Sequence, residues 1–377
     1  MVERAYVPEG SRISTLSLRA FRTYARLELE LQPGLTAFCG PNGIGKTNLV
    51  EALAMSCAGA SPRTSSEFRV IREGSTFARI VAGVEIADRP HQRVVRVEAG
   101  AGKRLEIDGS VVRGVDEFAS SLPAVTFLPE RLLVVRGAPS RRRALLDRCV
   151  MRMLPRATAD FRQYAAAMAQ RNNLLRRAKG GAEVRTQIQP WSEQMVEAGT
   201  AMREHRRVAL AQLGPRFTAR FAELTEFDDG ALDLEQRGGD DINEALSESW
   251  SHDVRRGTTT VGPHLDDLTY RQGARDLRTH GSTGEQRAAL LAWSLADADS
   301  VTAITGTAPL LVFDEPYAEL DQHRRRLLTA ALLELPQVFV TTTEPPQHLV
   351  DRRGAAPIDL RRVSSGEVHA WTSSFPT

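Results

Sequence analysis

Lysine is nearly missing from this chain of 377 residues: only Lys46, Lys103 and Lys179 carry an ammonium, although Lys and Arg together number 49. Arginine fills almost every other cationic position, so no single arginine is strong evidence for a partner. A lysine at a phosphate-binding position does stand out, because an ammonium is a compact point charge that can bridge two phosphates where a guanidinium is planar and bulky. Cysteine is also scarce. Cys39, Cys57 and Cys149 lie far apart with no C-x-x-C pair, which excludes a zinc knuckle or disulfide framework and fits a reducing cytosol. Each reads as a small core residue. Aromatics are 6% of the chain, too few for a base-stacking platform. No run of about 18 apolar residues occurs, which argues against a membrane span. Met1-Val2-Glu3-Arg4 does not open an export signal, so a cytoplasmic protein is expected.

What is present is ordinary for a globular protein: 42% hydrophobic and 25% charged residues. At about 100–200 residues per domain the length predicts two or three compact units. The 49 cations against 47 acids name no partner through net charge. Residues 13–39 alternate as strands through Ile13, Leu16 and Leu18, then Leu27, Leu29 and Leu31, then Leu35 to Cys39. Pro33-Gly34 supplies the last turn. Thr47 to Ala58 has helical periodicity, and residues 77–108 return to short alternating strands. Arg141 to Leu213 is rich in Ala, Arg, Leu and Gln, which predicts two or three helices broken at Lys179-Gly180-Gly181. A helix of about 35 residues there would reach about 50 Å. Leu310–Phe313 and Val338–Val340 are short apolar runs of the kind buried in parallel sheets. An α/β unit interrupted by a mostly helical insertion is therefore expected.

Gly40-Pro41-Asn42-Gly43-Ile44-Gly45-Lys46-Thr47 matches G-x-x-x-x-G-K-[ST] at every position, between a strand and a helix. Its glycines let backbone N–H groups converge on phosphate oxygens at a helix N-terminus. Lys46 would reach the β- and γ-phosphates, and the Thr47 hydroxyl would ligate Mg²⁺. Leu310-Leu311-Val312-Phe313-Asp314-Glu315 ends an apolar strand in two carboxylates. Asp314 would hold Mg²⁺ through water, and Glu315 would polarise the attacking water as general base. Gly281-Ser282-Thr283-Gly284-Glu285-Gln286 opens a helix. Ser282 and Gly284 there can offer a hydroxyl and amides to a phosphate, and Ser282 with Glu285 is also a plain capping box.

The order of these motifs, followed by Glu319-Leu320-Asp321, resembles the ATPase head of the ABC superfamily, in the branch that holds SMC proteins and RecF. The resemblance implies a parallel-sheet α/β head in which Ser282, Gly284 and Gln286 of one molecule close over the loop-bound ATP of a second. It places Asp321 beside the neighbour's site and a γ-phosphate switch at Thr342, within one residue, in Val338-Phe339-Val340-Thr341-Thr342-Thr343. The short helical insertion is similar to that of RecF and unlike the long coiled coils of SMC proteins. Further RecF-like stretches are Phe21-Arg22-Thr23-Tyr24, Phe127-Leu128-Pro129-Glu130, Gly137-Ala138-Pro139, Arg171-Asn172-Asn173 and Gly262-Pro263-His264-Leu265-Asp266-Asp267. With the strands and motifs above, the resemblance spans about residues 13–343. Asp314-Glu315 departs from the two aspartates usual in RecF, and Leu265 stands where a basic residue is usual. No glutamine fills the ABC glutamine loop, for which Phe127–Glu130 is the nearest equivalent.

A discontinuous head of residues 1–127 with 256–377 and a helical lobe of 128–255 are expected. Arg141, Arg142 and Arg143, with Arg171, Arg176 and Arg177, are read as contacts to a DNA backbone, and Arg148/Arg152 and Arg203/Arg206/Arg207 could share helix faces with them. A solvated, ion-paired surface explains such clusters equally well. The family resemblance adds an ATP-dependent homodimer that hydrolyses slowly, acts at single-strand/double-strand junctions, and works with RecR, RecO and RecA. Three other readings remain: a transporter ATPase, which would carry a histidine switch; a nuclease-linked ATPase, which would need an acidic cluster; and a nucleotide-gated protein scaffold.

Overall fold

The computed structural model describes residues 11–128, 132–177, 182–345, 349 and 358–371. The chain divides into two compact units. The first takes Met1–Arg131, Glu223–Thr225 and Leu290–Thr377, and the second takes Leu132–Ala222 and Glu226–Ala289.

The first unit holds two six-stranded sheets. One is antiparallel, in the order Tyr24–Glu30, Arg12–Phe21, Phe77–Ile86, Arg89–Glu98, Gly102–Ile107, Ser110–Val112. Its alternating strands bury one face, with Leu18, Leu27, Ile80, Val95 and Leu105 inward. The other runs Glu367–Ala370, Ile358–Ser364, Gly34–Cys39, Gln337–Thr342, Leu310–Phe313, Ala124–Phe127. It is parallel except at the edge strand Glu367–Ala370. Its three central strands are buried at every residue, which is why they read as continuous apolar runs.

The helix Lys46–Ala58 belongs to the same core as both sheets, through Leu49, Val50, Leu53 and Met55. Each such side chain contributes about 1.5–3 kcal/mol by leaving water. Gln337 joins the sheets by hydrogen bonds as well. Its side chain accepts from the Ile13 amide at 2.8 Å and donates to the Ile13 and Gln32 carbonyls at 2.9 and 3.0 Å.

The second unit is built on the helices Pro139–Met153, Ala157–Arg177 and Ala182–Thr225. Tyr164 and Ala167 pack on Met195, Ala198 and Met202. The third helix has 44 residues, longer than the sequence predicts. The helix continues past Leu213 and through Pro190 and Pro215, each of which forfeits one backbone bond. The expected break at Lys179-Gly180-Gly181 lies outside the described residues, as do Pro129 and Glu130. The second unit also holds strands. Gly230–Glu235, Asp267–Gln272 and Arg275–Asp276 form a three-stranded antiparallel sheet.

Candidate functional site

Gly40 begins the phosphate loop where there is no room for a side chain: a Cβ would stand 2.7 Å from the Val363 carbonyl oxygen. Its amide donates to the carbonyls of Thr342 and Thr343, tying the loop to the end of the neighbouring strand. Gly45, at φ +114°, is equally confined, with the Thr23 hydroxyl oxygen 2.9 Å from a Cβ built there. The Tyr24 hydroxyl donates to the Gly45 carbonyl at 3.1 Å, and burial raises its pKa. Burial also pushes the Cys39 thiol up to about 12, against the pull of Lys46. All three cysteines are buried and none forms a disulfide among the described residues.

The helix that follows has no side-chain cap and no acid in its first turn. Its first N–H groups have no intrahelical partner and its dipole favours an anion there. Lys46 is 3% exposed and folds back over the loop. Its Nζ donates to the Gly40 carbonyl at 2.8 Å, the Pro41 carbonyl at 3.0 Å and Asn42 Oδ1 at 3.5 Å. Glu315 Oε1 lies 3.7 Å from the same nitrogen. The other end of this helix is closed by a buried cation. Arg93 donates to the carbonyls of Ser56, Cys57 and Phe118 and to the Ser121 hydroxyl. Desolvation brings its pKa down to about 10.

Strand order explains how the acids meet this loop. Gln337–Thr342 lies between Gly34–Cys39 and Leu310–Phe313, so its C-terminal residues face both strand ends. The Thr341 hydroxyl donates to Asp314 Oδ1 at 2.5 Å and accepts from the Glu315 amide at 2.8 Å. Asp314 is buried and its amide donates to the Phe127 carbonyl. Glu315 sits at φ +49°, a left-handed backbone that costs a non-glycine residue about 1 kcal/mol or more. Thr342, the expected switch position, donates instead to the Glu344 carbonyl at 2.8 Å. Thr341, inside the one-residue margin of the expected switch position, is the residue whose hydroxyl meets both acids. The only signal for it over Thr342 was strand parity, since adjacent residues of a strand face opposite sides.

The serine-bearing turn lies in the second unit. Ser282 and Glu285 form the reciprocal capping box: the Ser282 amide donates to Glu285 Oε2 at 2.7 Å and the Glu285 amide to the Ser282 hydroxyl at 3.2 Å. The first of these bonds holds the Glu285 carboxyl below its ordinary range. Ser282 is exposed and Gly284 half-buried. Gln286, expected to touch nucleotide, is buried and occupied. It donates to the Leu277 and Gly281 carbonyls and accepts from Arg136, which also donates to Thr283. Its part in this structure is to hold the turn. Nothing in the sequence marks Arg136, which is 150 positions from Gln286. Asp321, in the first unit, is exposed and caps the helix Gln322–Leu333 through the Arg324 amide, which lowers its carboxyl pKa.

The arm arginines need a correction. Arg142 is buried and grips Asp267 with two bonds at 2.8 and 2.7 Å. Arg171 is buried on Asp253 and Thr259. Arg203 and Arg206 are buried around Asp266, with Arg206 also on Asp147. Arg143 donates to the Asp266 carbonyl, and its pKa is lowered first by burial and then by Arg206. Arg142, Arg171, Arg203 and Arg206 hold the lobe together and do not present a surface, while Arg143 is half-buried. Arg207 is exposed but paired with Glu204. Arg141, Arg176 and Arg177 remain exposed.

The residues present suit a magnesium nucleotide. The uncapped helix start suits phosphate, and Thr47 with Asp314 offers the oxygen donors a hard cation takes. No group of three or more His, Cys, Asp or Glu that could hold a metal is found among the described residues. No helix among the described residues is long and apolar enough to cross a membrane.

Comparison with known proteins follows the same lines. The family model for the RecF/RecN/SMC N-terminal domain matches residues 12–352. The DNA replication and repair protein RecF of Myxococcus xanthus is 32% identical over 88% of this chain and 91% of its own length. That of Acidothermus cellulolyticus is 34% identical over 90% and 96%. The solved structure of the recombination mediator protein RecF with ATP superposes with a TM-score of 0.85 at 22% identity, over 98% of this chain and 100% of that one. The Smc head domain of Pyrococcus furiosus gives 0.57 at 16% identity, over 96% of each chain. The ABC/SMC-type α/β head expected from the motifs is the fold observed, and the chain belongs to the RecF family.

Proposed function

We propose that this chain is an ATP-binding and ATP-hydrolysing protein of DNA replication and repair, in which nucleotide controls contact with DNA. The observation that carries the reading is the Lys46-covered loop on an uncapped helix, with Glu315 at 3.7 Å and Asp314 held by Thr341 beside it. Residues Gly40 to Thr47 would cradle the triphosphate, with Lys46 moving from loop carbonyls to the β- and γ-phosphates. Thr47 and Asp314 would hold Mg²⁺, which when bound neutralises phosphate charge. Glu315 would orient water and take its proton, and Thr342, or Thr341 next to it, would report the γ-phosphate.

Ser282 and Gly284 of a second copy would close the site, with Gln286 shaping that turn and Asp321 at its border, so that ATP joins two copies and slow hydrolysis parts them. Family membership supports the finer reading: single-strand gap repair in the cytoplasm, contact with single- and double-stranded DNA largely independent of sequence, loading of RecA with RecR and RecO, and the SOS response. In a scaffold reading, only protein partners bind. The burial of Arg142 and Arg171 favours that reading over an arm that grips DNA.

Sedimentation of wild type and Lys46→Ala with ATP and DNA tests the proposal. Association that needs nucleotide and is lost in the variant is expected. A wild type that stays single when saturated with a non-hydrolysable analogue on DNA removes the dimer. Absence of DNA binding at any salt concentration leaves the scaffold.

A further inference from the structure

The solvent face of the antiparallel sheet carries five arginines in one row, one from each of five adjacent strands. Arg26 stands opposite Arg19, Arg19 opposite Arg79, Arg79 opposite Arg96, and Arg96 opposite Arg104. Direct partners across a ladder project from the same side, with Cβ atoms about 4.5–5.5 Å apart. Their strand neighbours Leu27, Leu18, Ile80, Val95 and Leu105 form the matching row on the buried side. Arg19, Arg26, Arg96 and Arg104 are exposed and Arg79 half-buried.

Like charges placed directly opposite weaken a sheet, and here the arrangement occurs four times in succession. By alternation five acids share the face, Glu28, Glu30, Glu85, Glu98 and Glu106, of which Glu85 pairs with Arg12. Glu28, Glu98 and Glu106 each pair with the arginine two positions earlier on the same strand, namely Arg26, Arg96 and Arg104. Such pairs at the surface are weak and give way to a stronger anion. Arg19 and Arg79 have no carboxylate within ion-pair distance among the described residues. Arg96 lies over the Phe77 ring at 5.6 Å, which limits its freedom. With strands about 4.8 Å apart the row runs about 19 Å, the axial length of five to six phosphates of one DNA strand at about 3.4 Å each.

We propose that this arginine row is a contact surface for the phosphate backbone of duplex DNA. The proposal rests on the DNA-binding reading above and assigns that contact to the sheet of the first unit. Guanidinium groups at regular spacing meet phosphate oxygens without reading bases, so the contact is independent of sequence and weakens with salt.

The test is duplex binding to the nucleotide-saturated protein across a salt series, for wild type and for Arg19→Gln with Arg79→Gln. The variant should bind about tenfold more weakly at about 50 mM salt, with a log–log salt slope shallower by about 0.9 per lost contact, about 1.8 in all. Its ATP affinity should be unchanged. Arg19→Lys with Arg79→Lys should keep the slope, which separates charge from folding. A wild type that binds duplex while the glutamine variant keeps its slope overturns the row and leaves the general reading standing. Wild-type protein that binds no duplex overturns both. Binding of a polyglutamate peptide that duplex cannot displace makes the row an acidic-protein surface and also overturns the proposal.

Discussion

Lys46 Nζ stands 3.7 Å from Glu315 Oε1 while donating to two loop carbonyls. On the proposed reading, removing the lysine removes a phosphate partner and a fastening of the loop together. Lys46→Ala is expected to weaken ATP binding at least tenfold, since a charged hydrogen bond is worth about 1.5–3 kcal/mol. Lys46→Arg should behave similarly, because a planar fork does not fit where an ammonium is wrapped by oxygens. Glu315→Gln should still bind ATP and lose about 10²-fold in turnover. Equal turnover in Glu315→Gln and wild type would dismiss Glu315 as the base.

The Thr341 hydroxyl serves both acids, so Thr341→Val leaves Asp314 and the Glu315 amide without that partner. Expected is a loss of about 1–3 kcal/mol in stability and a larger fall in turnover than Thr342→Val produces. Thr341→Ser should restore most of both. Denaturant melts and phosphate release measure them, and a silent Thr341→Val with a dead Thr342→Val would move the sensing role to Thr342.

Arg93 saturates carbonyls at the end of the loop-bearing helix. Arg93→Met leaves buried oxygens unmet and should cost about 3–5 kcal/mol, read as a lowered midpoint in urea. A midpoint within experimental error of wild type would show that the cavity rehydrates at little cost.

Glu285 gains stability from the Ser282 amide, so its folded pKa lies below the ordinary 4.5. That contribution is present above 4.5 and is lost as pH falls through the lowered folded value. Glu285→Gln should therefore be less stable than wild type at pH 7 and approach it in acid. A gap that widens in acid contradicts the assignment.

Arg142 and Arg171 should prove structural. Each →Ala change should destabilise by about 3–5 kcal/mol, because Asp267 or Asp253 keeps its charge with the partner gone. Arg141, Arg176 and Arg177→Gln should leave the melting temperature within about a degree of wild type.

Legibility in the sequence followed sequence distance. Gly40 to Thr47 could be read because strand, loop and helix are contiguous. The strand ending at Asp314 could be read because a fully buried parallel strand is a bare apolar run. The antiparallel strands showed their alternation, yet nothing local revealed that Arg19, Arg79 and Arg96 align. Arg142 looked like surface because its partner Asp267 is 125 positions away, and in an arginine-rich chain a buried guanidinium is written like an exposed one. Gln286 belonged to a recognisable turn, but its occupation by Arg136 depends on folding.

Gln337 spends its whole amide on Ile13 and Gln32, and it opens the strand that ends in Thr341 and Thr342. The two sheets are thereby tied by a side chain: Gln337, on the threonine-bearing strand, is bonded to Ile13 of the strand that carries Arg19. Gln337→Leu should leave each sheet standing and remove the side chain whose amide fastens the threonine-bearing strand to Ile13 and Gln32.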